Sequence, residues 1–152
     1  MTEEVFCPDE PATRALGRDL GRRLSPGDLV LVDGELGTGK TVFVRGLAEG
    51  LGIDPDEVAS PTFAIVHEYG PPGRPPVLVH VDLYRLLGAP DEPRQVEELG
   101  LSDVRGGGAV LAVEWPGGVW VSEEAYRVSL RVAEGGGRRV RVSGPASSVR
   151  RR

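Results

Sequence analysis

Residues 28–41, DLVLVDGELGTGKT, pass from an unbroken apolar run straight into a glycine-rich turn. A run such as 28–32, with no polar alternation, suits a central strand buried on both faces. The turn that follows has the spacing G-x-x-x-x-G-K-[ST], with Gly34, Gly39, Lys40 and Thr41 at the specified positions. Glycine lets the chain bend with its amide hydrogens facing inward, which makes a concave anion site. Residues 40–51 then read as a helix with Val44, Leu47, Ala48 and Leu51 on one side. Its N-terminus would add a partial charge of about +0.5 to the same spot. Strand, loop and helix together predict a nucleoside triphosphate site. Lys40 would meet the terminal phosphates, and the Thr41 hydroxyl would meet magnesium.

Lys40 is the only lysine in the chain, and the other 17 Lys/Arg positions are arginine. Arginine is acceptable on a surface. A compact ammonium suits a tight phosphate loop where a planar guanidinium does not. The chain contains no asparagine. The Asn-Lys-x-Asp element that reads guanine in small GTPases is therefore impossible, which favours ATP.

Outward from this unit, 3–7 reads as a short strand. Residues 9–24 read as a helix capped by Asp9, with Ala12, Leu16, Leu20 and Leu24 on its buried face. Segments 63–69 and 77–82 flank the turn GPPGRPP and predict an antiparallel pair. Residues 91–101 read as a polar surface helix, and 109–114 as another buried strand. The alternation of YRVSLRV and RRVRV about AEGGG predicts a closing hairpin. The expected architecture is an α/β domain of the P-loop nucleoside triphosphatase type. It has a mixed sheet flanked by helices, with antiparallel hairpins, over residues 1–142, and 143–152 form a basic tail. Strand order does not follow from these patterns.

A phosphate loop needs a second magnesium anchor, usually a carboxylate at the end of a neighbouring strand. Two apolar segments end in acids, VLVHVD at Asp82 and AVLAVE at Glu114. Either carboxylate is a candidate metal ligand or catalytic group. His80 shares a strand face with Asp82 and reads as a hydrogen-bonded core residue in preference to a proton shuttle. SPTF, residues 60–63, has two readings. It is a loop that senses the terminal phosphate through Thr62, or a Ser-Pro turn with Thr62 opening a strand. Trp115 and Trp120 read as packing residues. Arg85 is the best candidate for an internal charge stabiliser, although a surface ion pair fits it better.

The net charge of −5 is unevenly spread. Residues 1–126 carry 22 acidic and 10 basic side chains, while 127–152 carry one acidic and eight basic. An acidic body argues against wrapping nucleic acid broadly, and the basic end reads first as a solvated strand and tail. The single cysteine, Cys7, cannot form an internal disulfide. With no signal-like start and no apolar run near ~20 residues, the expected setting is cytoplasmic.

GELGTGKT (34–41), RGL (45–47), SPTF (60–63), HVDLYRL (80–86), EELGL (97–101) and VEWP (113–116) occur in this order. Together they resemble the bacterial TsaE (YjeE) family from about residue 5 to about residue 142. That family usually has Ala where Thr38 stands and Thr where Val42 stands. The resemblance implies a small ATPase that binds the TsaB–TsaD pair. It would drive repeated turnover in threonylcarbamoyl modification of an anticodon-loop adenosine of tRNA, without performing the transfer itself. It further implies that Leu36, Gly37, Thr38, Gly39, Lys40 and Thr41 hold the phosphates and that Thr41 and Glu114 bind Mg2+. Asp82 would assist the metal or hydrolysis, and adenine would lie near Pro8–Thr13, with Thr13 at the end of that segment. Two other readings need the loop as well. One is a nucleotide-gated binding module in which hydrolysis is incidental. The other is a small-molecule kinase, disfavoured because the 70–76 turn is short and carries only Arg74.

Overall fold

The computed structural model describes residues 2–35, 37–54, 56, 66–84, 106–116 and 124–145. Chain order is β1 (Thr2–Cys7), α1 (Glu10–Arg23), β2 (Leu29–Gly34), α2 (Lys40–Gly50), β3 (Val66–Tyr69), β4 (Leu78–Asp82), β5 (Val110–Glu114), β6 (Tyr126–Val132) and β7 (Arg138–Ser143). The seven strands form one mixed sheet in the order β1-β7-β6-β2-β5-β4-β3. β2 is parallel to both β5 and β6, and β4 is parallel to β5. The β3–β4, β6–β7 and β1–β7 pairs are antiparallel. The expected mixed α/β class with antiparallel hairpins is the class observed. The polar helix expected at 91–101 lies outside the described residues.

β2 carries the double burial that its apolar run implies. Val30 and Val32 join one core cluster, with Phe43, Val44 and Leu47 of α2. Leu29 and Leu31 join a second cluster with Val79, Val81, Leu111 and Val113. Each such side chain contributes about 1.5–3 kcal/mol when fully buried. The run is therefore stable only with a layer on each face.

The face of α1 that packs on the core holds the expected Ala12, Leu16, Leu20 and Leu24, and glycines besides. Asp9 caps the helix as expected, accepting from the Ala12 amide at 2.9 Å. Leu20 is fully buried, whereas Ala12, Leu16 and Leu24 are only partly buried against the core. The other buried residues are Thr13, Gly17 and Gly21. These glycines let α2 come close enough that its backbone meets theirs. An added Cβ on Gly17 would clash with the Phe43 carbonyl oxygen, and one on Gly46 with that of Arg14. At the helix flank, Glu49 accepts from Arg14 at 3.0 Å and from Arg18 at 3.2 Å.

Helix propensity alone would make Gly46→Ala stabilising by roughly 1 kcal/mol. Backbone contact reverses the sign, and the expected outcome is a loss of about 1–3 kcal/mol. Thermal or urea unfolding of this single variant decides which effect wins.

Candidate functional site

The turn after β2 is shaped by glycine where no other residue fits easily. Gly34 has φ +151°, and an added Cβ would sit 2.6 Å from the Leu130 carbonyl oxygen and 2.7 Å from Thr38 Oγ1. Gly39, the N-cap of α2, lies in the left-handed region at φ 97°. Its carbonyl accepts from Phe43 N at 2.9 Å, which starts the helix. Thr38 is buried and donates its hydroxyl to the Glu35 carbonyl at 2.7 Å. Thr41 follows Lys40 in the first turn of the same helix. Leu36 lies outside the described residues.

Lys40 is 5% exposed. Its Nζ donates to the carbonyls of Gly34 at 2.6 Å and Glu35 at 2.8 Å. The ammonium also sits 4.0 Å from the Trp115 ring centroid, a cation–π contact. Burial lowers its pKa, while the charges of Glu114 and then Asp82 act in the opposite direction. Trp115 thus belongs to the lysine environment and is more than packing. It also contacts the Tyr84 ring at 5.0 Å. Its φ of 58° makes it the one described non-glycine residue with positive φ. A bulky residue held there is a local strain, and such strain gathers at functional sites.

The two strand-end acids come together. Asp82 and Glu114 are register partners on β4 and β5, and Val32 of β2 pairs with Glu114. Glu114 therefore stands beside the end of the strand that feeds the loop, and Asp82 one strand farther along the sheet. Glu114 is 2% exposed, and its Oε2 lies 2.5 Å from Nε2 of fully buried His80. Asp82 is half-buried, and its Oδ1 accepts from the Tyr84 amide at 3.0 Å. Burial pushes the Asp82 carboxyl up and the neighbouring Glu114 charge adds to this, against the pull of the Tyr84 amide and Lys40.

A cavity of about 220 Å3 adjoins the loop, lined by Pro8, Asp9, Thr13, Gly39, Gly137 and Arg138 among others. Thr13 is buried, with its hydroxyl 3.4 Å from the Asp9 carbonyl. The segment 8–13 is thus brought against the loop. Arg138 is a residue that sequence patterns did not single out. Its Nε donates to the Thr38 carbonyl and its Nη2 to the Gly37 carbonyl, both at 3.0 Å. Alternation along β7 marks it only as a strand residue, because nothing local says that its strand starts beside the loop.

A left-handed glycine turn, a helix N-terminus and a buried ammonium can receive an anion. The hydroxyl of Thr41 and the carboxylates of Asp82 and Glu114 are hard oxygen donors of the kind magnesium takes, usually through one or two carboxylates plus phosphate. Among the described residues no group of three or more His, Cys, Asp or Glu is arranged to hold a metal alone. Thr62, Arg85 and Trp120 lie outside the described residues. No described helix is long and apolar enough to cross a membrane.

A family model described as "Threonylcarbamoyl adenosine biosynthesis protein TsaE" matches residues 7–140. The chain belongs to the TsaE family. The tRNA threonylcarbamoyladenosine biosynthesis protein TsaE of Streptomyces coelicolor is 45% identical over 120 residues, covering 78% of this chain and 77% of that one. The TsaE protein of Treponema pallidum is 38% identical, covering 86% of this chain and 93% of its own. The crystal structure of Bacillus subtilis YdiB superposes with a TM-score of 0.74 at 25% identity, covering 99% of this chain and 90% of that one. The TsaE assignment agrees with the resemblance carried by GELGTGKT, HVDLYRL and VEWP.

The raised pKa of Asp82 has a consequence for stability. The folded state holds this proton more tightly than the unfolded state does. Stability is therefore lost as pH rises from the unfolded carboxyl value, about 3.9, through the folded one. Asp82→Asn keeps the acceptor for Tyr84 and removes the buried charge. It is expected to raise Tm at pH 7, and the gain should shrink as pH falls towards 4. A Tm series across pH checks both sign and window.

Proposed function

We propose that this chain binds ATP and Mg2+ at the 34–41 loop and hydrolyses ATP slowly by itself. We further propose that it binds the TsaB–TsaD pair, supporting repeated turnover in threonylcarbamoyl modification of tRNA in the cytoplasm. The observation that carries this reading is the meeting of the loop, buried Lys40 and the register pair Asp82–Glu114 at one end of the parallel strands. It supports the reading in a chain whose relatives bear the name of tRNA threonylcarbamoyladenosine biosynthesis.

In this mechanism the phosphates lie against the loop amides of residues 36–41. Lys40 exchanges one of its carbonyl partners for a phosphate oxygen. Thr41 and Glu114 would hold the metal, whose charge would neutralise the phosphate oxygens. Asp82 orients water or completes the metal site, and its raised pKa suits a group that handles a proton. The cavity beside Thr13 receives the nucleoside. Arg138 already donates to the carbonyls of residues 37, 38 and 137. It therefore serves the loop's shape and is not a free arginine finger. Charge stabilisation of that kind is worth ~10³–10⁵ in rate, and partner docking is assigned to supply it.

A second reading, nucleotide-gated binding with incidental hydrolysis, is favoured by the engagement of Lys40 with its own loop carbonyls. That contact gives ligand-free and ligand-bound loops different partners.

Calorimetry on Lys40→Ala should show loss of ATP binding with Tm preserved, and unchanged affinity would refute the site. Pull-down of TsaB–TsaD in ATP, ADP and no nucleotide is expected to show retention that depends on the nucleotide. Retention equal in all three, with ATP turnover stimulated by the pair, would favour hydrolysis over gating.

A further inference from the structure

We propose that His80 is the positioning residue of the site: its Nε2–H holds Glu114 Oε2 and thereby sets the carboxylate that meets the metal. The inference rests on the reading of Glu114 as a magnesium ligand and assigns a role to a residue otherwise left as core.

The sheet register makes the contact. His80 pairs with Ala112 on β5, and Glu114 stands two residues farther along the same face. Diagonal neighbours of this kind lie about 7–8 Å apart at Cα, within reach of a long side chain. The small side chain of Ala112 leaves the imidazole room to cross. His80 is 0% exposed and Glu114 2%, so water does not solvate the bond between them. A buried carboxylate without donors is strongly disfavoured. Lys40 is directed elsewhere, its ammonium bonding the Gly34 and Glu35 carbonyls and facing the Trp115 ring.

The proton on Nε2 follows from its partner. A carboxylate only accepts, so Nε2 donates. The Nδ1 atom of His80 is buried with no hydrogen-bond partner. The imidazole therefore carries a proton on Nε2, the atom that meets the carboxylate. On the other side stands His67, its register partner on β3, with ring centroids 6.4 Å apart. Fixing Oε2 from below leaves Oε1 for the cation and prevents the carboxylate from turning towards Lys40. Such partners of metal ligands typically govern metal affinity by 10–100-fold.

The test compares His80→Leu, which keeps bulk without a donor, with His80→Gln, whose amide reaches as Nε2 does. Mg2+ affinity is titrated at saturating ATP, and ATP affinity is measured separately without metal. His80→Leu is expected to weaken Mg2+ binding roughly 10–100-fold and leave metal-free ATP binding unchanged, with His80→Gln recovering most of the loss. Should His80→Leu not fold, His80→Gln against the shorter His80→Asn makes the same comparison. In the metal-free unmodified chain, the 15N signals of His80 should report a protonated Nε2. Mg2+ affinity equal to the unmodified chain in both His80→Leu and His80→Asn would overturn the proposal, as would a bare Nε2. Failure of the unmodified chain to bind ATP would instead overturn the functional reading, and with it the metal role assigned here.

Discussion

Strands β4, β5 and β2 run parallel and side by side, and their interiors are almost wholly apolar on both faces. That constraint organises the molecule. Polar chemistry has no place along these strands except at His80, so it gathers where they end. Asp82, Glu114 and the glycine turn after β2 are brought together by register. The acids and the loop meet because three strands that must be buried for their length stop at the same end, and Arg138 of β7 then braces the loop.

This explains which parts were legible beforehand. The β2–loop–α2 unit could be read because an apolar run, a glycine spacing and a helical period are all local signals. Asp82 and Glu114 could be read as acids closing apolar strands, although nothing local said that they face each other. Strand order was not legible, because pairing of β2 with both β5 and β6 is non-local. The α1–α2 contact was not legible for a different reason. Periodicity counts apolar side chains, and Gly17, Gly21 and Gly46 have none, so this close approach left no mark in the pattern. Trp115, Arg138 and the His80–Glu114 pair escaped because their roles depend on which chain ends converge.

The site is held against its own electrostatics. Burial disfavours the charge of both Lys40 and Asp82, lowering one pKa and raising the other. Trp115 adds a left-handed backbone. Each would relax if the edge could loosen. The doubly buried strands prevent that on one side, and the close-packed helix pair prevents it on the other. α2 begins at the loop, so anything that shifts α2 along α1 also shifts Lys40. The glycines at the helix contact therefore bear on the geometry of the anion site, some distance from it.

The solitary lysine can now be understood from its surroundings. Two carbonyls, at 2.6 and 2.8 Å, and one aromatic face surround Nζ in a space that leaves the residue 5% exposed. An ammonium is a compact charge with three donors, and it can exchange one partner while keeping the others. A guanidinium is planar, with five donors in a fixed fork. In so closed a space it would leave donors unpaired or push the loop open. On the arginine-rich strands β6 and β7, where Arg131 and Arg141 share Glu4 at the surface, that geometry is no handicap. Arg131 and Arg141 stand where solvent can satisfy the remaining donors, and Lys40 stands where it cannot.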